Sequence, residues 1–237
     1  MATFLVAHGA WSGGWCWKKM RPLLRERGHE LFTPTYTGIG ERVHLASPET
    51  GLETHITDIL NVLQFEDLRN VCLIGHSYGG MVATSVADRV PERLAHIVYL
   101  DAFVPRHGQC LFDLRTAEAH GVTGETSRTA GDEWQIRPNP LPADTSESDV
   151  AWIIPRRVMQ PLKTFKEPVS LSGKGDHVPK TYIYCTRPGP VDVFRAFAEQ
   201  ARENHAWRYF EIDASHSPHI TAPEALAALL DKIVTFP

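Results

Sequence analysis

A serine between two glycines is the clearest chemical feature of the sequence. Gly-His-Ser-Tyr-Gly at residues 75–79 follows the apolar residues 71–74 and precedes a stretch with helical periodicity. Strand, sharp turn and helix in this order hold such a serine exposed at the apex of a strained turn. The two glycines remove side chains that would crowd the turn. The pattern therefore predicts that Ser77 is a nucleophile.

A nucleophilic serine needs a base that takes its proton, usually a histidine oriented by a carboxylate. The connection between the last predicted strand and the last predicted helix contains His216 and His219. His216 is the predicted base because it follows the strand closely and lies at the tip of the loop. His219 is an alternative base. A His-x-x-His metal pair is a third interpretation, but it lacks an obvious third ligand.

Apolar segments alternate with segments of helical periodicity over most of the chain. The predicted strands cover residues 4–7, 31–33, 71–74, 96–101, 181–186 and 207–212. The predicted helices cover residues 15–27, 52–65, 191–204 and 223–234, with one more from the serine turn to about residue 90. This alternation predicts an α/β fold whose mostly parallel sheet is covered by helices on both faces.

The alternation breaks between residues 105 and 179, a segment rich in proline and in polar clusters. A loop of this length without secondary structure is unusual in a compact domain, so we expect short helices within it. Inserted above the active end of the sheet, the segment is predicted to be a lid. We see no repeat and no linker, and we predict a single domain over residues 1–237.

Composition narrows the class of protein. With 237 residues, 43% of them hydrophobic, the chain can bury one sizeable core. A net charge of −4 and unclustered basic residues argue against nucleic acid or an acidic membrane surface as partners. No signal peptide or bilayer-spanning stretch is recognisable, and the four cysteines are scattered, so the expected location is the reducing cytoplasm. The oligomeric state, including a homodimer, stays open.

Three motifs together resemble a known family. They are the run His-Gly-Ala-Trp-Ser-Gly-Gly-Trp-Cys-Trp at residues 8–17, the Gly-His-Ser-Tyr-Gly-Gly turn at 75–80, and His216 with Pro223 beyond it. The chain is similar to the α/β-hydrolase subgroup of plant methylesterases and hydroxynitrile lyases, and most of all to its bacterial esterase-like members. The resemblance implies an α/β-hydrolase fold, with Ser77 as nucleophile and His216 as base.

The same resemblance implies an oxyanion hole formed by the backbone N–H groups of Ala10 and Tyr78. The residues agree with it, because one donor is expected directly after the nucleophile and one in the loop after the first strand. Two such donors stabilise the developing alkoxide by a few kcal/mol each, about 3 kcal/mol being typical. Gly9 lets the backbone approach the substrate closely.

The triad acid is where this sequence departs from the plant pattern. Those enzymes carry an Asp shortly after the strand that corresponds to residues 181–186, in a Cys-Thr-Glu-Asp-like run. Here the run at residues 185–190 is Cys-Thr-Arg-Pro-Gly-Pro, and the expected Asp is a proline. Asp101 ends the strand that follows the elbow helix, and some α/β-hydrolases, such as certain haloalkane dehalogenases, have their acid there. Asp192 is the alternative, although a carboxylate at a helix start is also explained by the helix dipole. We predict Asp101.

Two positions separate esterase from lyase within the family. The lyases carry Thr at the position of Gly9 and Lys at the position of Ser217, and the Lys stabilises cyanide. The resemblance thus favours a serine carboxylesterase that hydrolyses a small or medium apolar or aromatic ester through an acyl-enzyme. The alternatives are a hydroxynitrile-type carbon–carbon lyase and a weakly catalytic hydrolase-fold receptor. No cofactor or metal is required.

Aromatic residues are the candidates to line an apolar substrate pocket, since such sites are mostly hydrophobic. Those selected are Trp11, Phe103, Trp134 and Trp152, with Tyr78 beside the nucleophile. Arg156 and Arg157 in the predicted lid are able to pair with an anionic substrate, but a solvated surface pair is the favoured interpretation.

Overall fold

The computed structural model describes residues 1–115, 134–189 and 191–235. Its strands are β1 (Thr3–Ala7), β2 (Glu30–Phe32), β3 (Val71–His76), β4 (Leu94–Leu100), β5 (Gln135–Ile136), β6 (Gln160–Pro161), β7 (Lys180–Cys185) and β8 (Trp207–Ile212). Six of them form one parallel sheet in the order β2-β1-β3-β4-β7-β8, and β5 pairs antiparallel with β6. The predicted α/β class with a parallel sheet is confirmed.

The sheet is buried on both faces, as its continuous apolar strands require. Side chains alternate between the faces, so that Leu5 and Leu73 belong to one hydrophobic cluster and Val6 and Ile74 to the other. Each cluster is completed by helices. The structure thus has two cores, one on each side of the sheet.

The helices are α1 (Met20–Glu26), α2 (Leu52–Phe65), α3 (Gly79–Arg89), α4 (Glu147–Ile153), α5 (Lys163–Lys166), α6 (Arg195–Glu203), α7 (Pro218–Thr221) and α8 (Pro223–Thr235). Helices α2, α3 and α6 cover the face that contains Leu5, and α1 and α8 cover the other. Short 3-10 turns lie at Gly14–Trp17, Gly40–Leu45, Pro91–Arg93, Phe112–Leu114 and Ile154–Arg156. In the part of the chain that the structure describes, no helix combines the length and the apolar character that crossing a bilayer demands.

Two predicted helices begin later than expected. The helix predicted over residues 15–27 is a 3-10 turn followed by α1, because Pro22 fits only the first turn of a helix; its ring would clash with the carbonyl of Lys18 in a continuous one. The helix predicted over residues 191–204 begins at Arg195. There Asp192 Oδ1 accepts the N–H groups of Phe194 at 3.2 Å and Arg195 at 3.0 Å.

Most of the predicted lid, residues 105–179, is described, but residues 116–133 of it lie outside the described part. The rest contains β5, α4, β6 and α5, joined by irregular chain, and it connects β4 to its sheet neighbour β7. The expectation of short helices holds for the described residues. The carboxyl ends of β1, β3, β4 and β8 meet at one edge of the sheet, and the candidate residues follow these strands directly.

Candidate active site

Ser77 occupies a sharp turn between β3 and α3. Its φ of +56° is in the left-handed region that a non-glycine residue rarely adopts. The turn is held by backbone bonds: Ser77 N–H donates to the Leu100 carbonyl at 3.3 Å, and the Ser77 carbonyl accepts from Gly80 at 3.1 Å and Phe103 at 3.2 Å. A Cβ at Gly79 would overlap the carbonyl oxygen of Ala7. The turn geometry and the requirement for small residues both agree with the sequence prediction.

Asp101, directly after β4, contacts the ring of His216. Its Oδ2 lies 2.7 Å from His216 Nδ1, its Oδ1 accepts from Cys185 N–H at 3.3 Å, and its own N–H donates to the Ile183 carbonyl at 2.8 Å. The residue is buried and strained, with a φ of +43°. Burial raises the pKa of the Asp101 carboxyl above its ordinary value, against the opposing effect of the hydrogen bond from His216. The Asp101 carboxyl group is held in place by the His216 ring and the Cys185 N–H.

Asp192, the alternative acid, is occupied elsewhere. Its Oδ2 accepts the Tyr184 hydroxyl at 2.5 Å and lies 3.1 Å from Arg195 Nε, while its Oδ1 caps the start of α6. The interpretation of Asp192 as a helix-start carboxylate is therefore the one that its contacts match.

The ring of His216 is held on both faces and through its backbone. It stacks on Phe194 with centroids 4.8 Å apart and planes at 8°, and it faces the ring of His76 at 4.9 Å. His76 Nε2 donates to the His216 carbonyl at 2.8 Å, so the residue before Ser77 bonds to the backbone of the candidate base. Nδ1 is engaged by Asp101, and Nε2 has no hydrogen-bond partner among the described residues, Ser77 Oγ included. Nε2 is therefore the ring atom that remains free to accept a proton.

His219, the alternative base, is buried behind this arrangement. Its ring stacks on Trp17 at 4.6 Å, and its Nδ1 has no hydrogen-bond partner within the described chain. Burial lowers the pKa of His219 to about 3, with smaller contributions from His216, His8 and Lys19. A buried neutral ring without a carboxylate beside it lacks the orienting partner that a general base uses.

The chain segments that carry the two candidate oxyanion donors lie next to the serine turn. Gly9, beside Ala10, is so close to the turn that an added Cβ would lie 2.9 Å from His76 Nδ1 and 3.3 Å from Ser77 Cβ. Tyr78 is anchored by its side chain, since its hydroxyl donates to His55 Nδ1 at 2.9 Å. His55 in turn donates from Nε2 to the Thr37 carbonyl at 3.0 Å, which fixes its tautomer.

Comparison with known proteins matches this arrangement of fold and residues to one family. Residues 4–229 match the alpha/beta hydrolase family. The chain belongs to the alpha/beta hydrolase family. A carbendazim hydrolyzing esterase from Nocardioides sp. (strain SG-4G) is 38% identical to this hydrolase over 97% of the chain and 98% of the relative.

Solved structures agree with the family assignment. An extracellular alpha/beta-hydrolase from a Paenibacillus species, described as sharing structural and functional homology with tobacco Salicylic Acid Binding Protein 2, has a TM-score of 0.85 at 27% identity. The match covers 98% of both chains. An Arabidopsis methylesterase matches with a TM-score of 0.79 at 21% identity over the whole of both chains, which shows a shared fold. The predicted α/β-hydrolase fold and the resemblance to plant methylesterases are confirmed.

The hydrolase distributes its predicted pocket residues over both cores. Trp11 and Phe103 belong to the cluster on the α2 face, where Phe103 packs on Phe194 and donates its N–H to the Ser77 carbonyl. Trp152 packs edge-on against Trp15, 5.3 Å away, in the other cluster. Trp134 is half-buried and its carbonyl accepts from Leu162 N–H. Their roles as pocket residues stay predictions.

Arg156 and Arg157 do not form the solvated pair that the sequence favoured. Arg156 is exposed, whereas Arg157 is half-buried, with its guanidinium 5.8 Å above the Trp11 ring and donating to the Asn139 carbonyl. Burial lowers the pKa of Arg157 to about 10. The favoured interpretation was wrong for Arg157 because neighbours in the sequence need not share a surface once a helical turn ends between them.

Sequence reasoning missed several residues of the site. Phe194 and His55 lie in ordinary helical patterns, and Gln160 lies in the irregular segment, so no local pattern distinguishes any of them. His76 was within the motif and could have been noticed there. Among the described residues no group of three or more His, Cys, Asp or Glu side chains is arranged to hold a metal ion.

Proposed function

We propose that this hydrolase is a serine carboxylesterase that cleaves small or medium apolar or aromatic esters through an acyl-enzyme on Ser77. The observation that carries the proposal is the 2.7 Å contact between Asp101 Oδ2 and His216 Nδ1 next to a strained serine turn. That contact keeps the proton of His216 on Nδ1 and leaves Nε2 able to accept one.

The proposed reaction uses each of these groups in turn. His216 Nε2 takes the Ser77 proton as Oγ attacks the ester carbonyl, and the resulting alkoxide is bound by the N–H groups of Ala10 and Tyr78. The tetrahedral species collapses when His216 protonates the departing alcohol, which leaves an acyl group on Ser77. Water then attacks the acyl group while His216 takes its proton, and the acid is released with Ser77 restored.

The relatives support an esterase rather than another hydrolase. The protein that covers nearly the whole chain at 38% identity is named for hydrolysing carbendazim, and plant methylesterases match shorter regions, such as one from Arabidopsis at 33% over 43% of the chain. We infer that the substrate is an ester of an aromatic acid with a small alcohol, or the carbamate ester that an aromatic amine forms with such an alcohol. We also propose a cytoplasmic location on the basis of the cysteine usage, with no nucleic-acid or membrane partner.

A carbon–carbon lyase is the less favoured alternative. The position at which the related lyases carry Thr is Gly9, where an added Cβ would lie within 2.9 Å of the His76 ring. The position of their Lys is Ser217, so no ammonium group follows His216. Neither position supports cyanide chemistry, and a weakly catalytic receptor has no particular contact in its favour.

The test is hydrolysis of p-nitrophenyl esters from acetate to octanoate, and of carbendazim, by the wild-type protein and Ser77→Ala. We expect turnover with a burst of nitrophenol in the wild type and its loss in Ser77→Ala, with a bound acyl group on Ser77 detected by mass spectrometry. Tight ligand binding without nitrophenol release would favour the receptor. Turnover that persists in Ser77→Ala would exclude the proposed mechanism.

A further inference from the structure

Gln160 is a fully buried amide that joins the predicted lid to the loop after β1. Its Oε1 accepts from Trp11 N–H at 3.0 Å, and its Nε2 donates to Thr164 Oγ1 at 2.9 Å. Thr164 Oγ1 in turn donates to the Pro161 carbonyl at 2.6 Å. Both polar atoms of the amide are thus hydrogen-bonded. The Nε2 bond stays within the predicted lid, whereas the Oε1 bond reaches the loop after β1. Removing such an acceptor leaves a buried N–H without a partner, at a cost of about 1–3 kcal/mol.

Trp11, on the other side of this bond, has a strained backbone. Its φ is +59°, in the region that costs a non-glycine residue about 1–3 kcal/mol and persists only when the surroundings enforce it. The enforcing contacts come from the lid: Trp11 Nε1 donates to the Ile136 carbonyl at 3.0 Å, and the indole packs edge-on against Phe165. The Gln160 bond is the one among these contacts that acts on the backbone of Trp11.

Trp11 directly follows Ala10, whose N–H is one of the two proposed oxyanion donors. The Gln160 bond fixes the peptide plane between Ala10 and Trp11, and it directs the Trp11 N–H toward the lid. The rotation of that plane is coupled to the direction of the Ala10 N–H through the torsions of Ala10. An oxyanion donor is effective only when it is aimed before the charge develops.

We propose that Gln160 is a positioning residue for the oxyanion hole, acting through the Trp11 N–H to hold the Ala10 N–H in its productive direction. The inference rests on the proposed esterase function. Gln160 supplies the acceptor as a neutral amide, which adds no negative charge near the developing alkoxide. The predicted lid would then do more than shape the pocket, because Gln160 would also hold the loop after β1, which carries Ala10 and Trp11.

The experiment compares Gln160→Met, which keeps the length of the side chain without its polar atoms, with Gln109→Met, the same change at another glutamine of the predicted lid, whose Oε1 accepts the Arg106 N–H at 2.8 Å. For each variant kcat and KM are measured with an ester that the wild type hydrolyses. Inhibition constants are measured for two ligands. One is an aryl trifluoromethyl ketone, whose carbonyl carbon is attacked by Ser77 Oγ to form an alkoxide in the oxyanion hole. The other is a planar aromatic acid that binds without reacting. Gln160→Asn, which is too short to reach Trp11, is a second variant in case Gln160→Met does not fold.

We expect Gln160→Met to lower kcat by about 10- to 100-fold, less than the 10²- to 10³-fold loss for a whole donor, with KM changed by less than about 3-fold. The inhibition constant of the ketone should rise by the same factor as kcat/KM falls, and that of the planar acid should stay constant. Gln109→Met should stay within about 3-fold of wild type in all four quantities, because the Gln109 side chain accepts its hydrogen bond from within its own turn of the lid. Gln160→Asn should follow Gln160→Met.

Three outcomes overturn the inference. They are a folded Gln160 variant with wild-type kcat, a loss of kcat shared equally by Gln109→Met, and a loss of kcat without weaker binding of the ketone. Ser77→Ala serves as the reference in every assay. If turnover persists in Ser77→Ala, the proposed function fails and this inference with it; if Ser77→Ala is inactive and the Gln160 variants behave as wild type, the Gln160 inference alone fails.

Discussion

Individual residues of the site are placed by contacts from several distant parts of the chain. His216 bonds to Asp101 after β4, stacks on Phe194 before α6 and is held through its carbonyl by His76 at the end of β3. The bond to Asp101 and the stacking on Phe194 restrict rotation of the imidazole ring, and the bond from His76 restricts movement of the backbone that carries it. Together they leave the ring one orientation, with Nε2 as the unengaged atom.

Asp101→Asn tests the role of the carboxylate. Because Cys185 N–H needs an oxygen to accept it, the amide group of the new side chain would face His216 Nδ1 and force the proton onto Nε2. His216 would then be unable to accept the Ser77 proton. We expect kcat to fall by about 10⁴-fold while the circular dichroism spectrum stays unchanged. Near-normal turnover would move the acid to another carboxylate, and Asp192→Asn is the matched control.

We also expect the stability difference between the wild type and Asp101→Asn to depend on pH. The pKa of Asp101 is raised in the folded state, so the native protein binds its proton before the unfolded chain does as pH falls. The wild type should therefore gain stability relative to Asp101→Asn as pH falls through the folded pKa toward the ordinary value of 3.8, and lose that gain at neutral pH. The measurement is the melting temperature of the wild type minus that of Asp101→Asn, taken at pH 7 and again at pH 4.5. This difference should be larger at pH 4.5. A difference that shifts in the opposite direction would contradict it.

Gly9 is a position where any side chain should reduce activity. A Cβ there would press on His76 Nδ1 and Ser77 Cβ, at 2.9 Å and 3.3 Å, and displace the serine or the backbone of the base. Gly9→Ala should lower kcat about 10- to 100-fold, because small displacements of reacting groups cost rates of this order. Gly9→Thr should lower it further and produce no cyanohydrin cleavage. Gly189→Ala, at a site where an added Cβ meets nothing, is the control.

At the scale of elements, the helix after the serine is packed unusually close to its neighbours. A Cβ at Gly79 would overlap the Ala7 carbonyl, and one at Gly80 would overlap the Phe103 carbonyl. Two successive glycines let α3 begin between the ends of β1 and β4. The position of the serine above the sheet depends on this closeness as much as on the turn itself.

Gly80→Ala should therefore destabilise the fold. Since the carbonyl of Phe103 belongs to the backbone and has little freedom to retreat, we expect a loss of about 1–3 kcal/mol in the free energy of unfolding, or about 2–12 °C in melting temperature. Thermal denaturation followed by circular dichroism measures it, with Gly189→Ala again as the neutral comparison. Equal melting temperatures for the two variants would show that α3 can shift away.

The strands and most helices could be predicted because their signals are local. Helix α2 and strand β8 begin and end at the predicted residues. Strands β2, β4 and β7 are offset by one or two residues from their predicted bounds. The larger errors, at two helix starts, lie where a side chain decides the boundary: Pro22 delays α1, and Asp192 sets the start of α6. Ser77 and His216 stand in recognisable motifs, but Phe194 and Gln160 act through contacts between distant residues, and no pattern in a single sequence records such contacts.

At the scale of the whole molecule, the strain is concentrated at the candidate site. Five non-glycine residues of the described chain have positive φ, and three of them are Trp11, Ser77 and Asp101. They follow β1, β3 and β4, the three adjacent strands at the centre of the catalytic edge. The remainder of the fold supplies the stability that keeps these three residues in place.

The accessibility of the cysteines to a thiol reagent tests how well the native core excludes solvent. Cys16, Cys72 and Cys185 are buried free thiols, and Cys110 is partly exposed. Burial raises the pKa of Cys16 and of Cys72 to about 12, so neither forms a reactive thiolate in the native state. Burial also raises the pKa of Cys110, but this thiol is accessible to a reagent, so labelling at pH 8 should modify one cysteine slowly in the native chain and four after denaturation. Cys110→Ser should abolish the native reaction, and rapid labelling of more than one thiol would indicate a looser core.

Placing the acid after β4 has a consequence for how this protein can change over time. Asp101 stands on the strand next to the one that bears Ser77, so among the described residues of the connection after β7, at 186–189 and 191–192, none supplies a group of the proposed proton relay. Residues of this connection support the site indirectly, since Arg187 bonds to Asp213 and Asp192 caps α6, but Gly189 is open, because a side chain added there would meet no atom of the described residues within 4 Å. It is the natural place for evolution, or for a protein engineer, to add new contacts at the rim of the hydrolase.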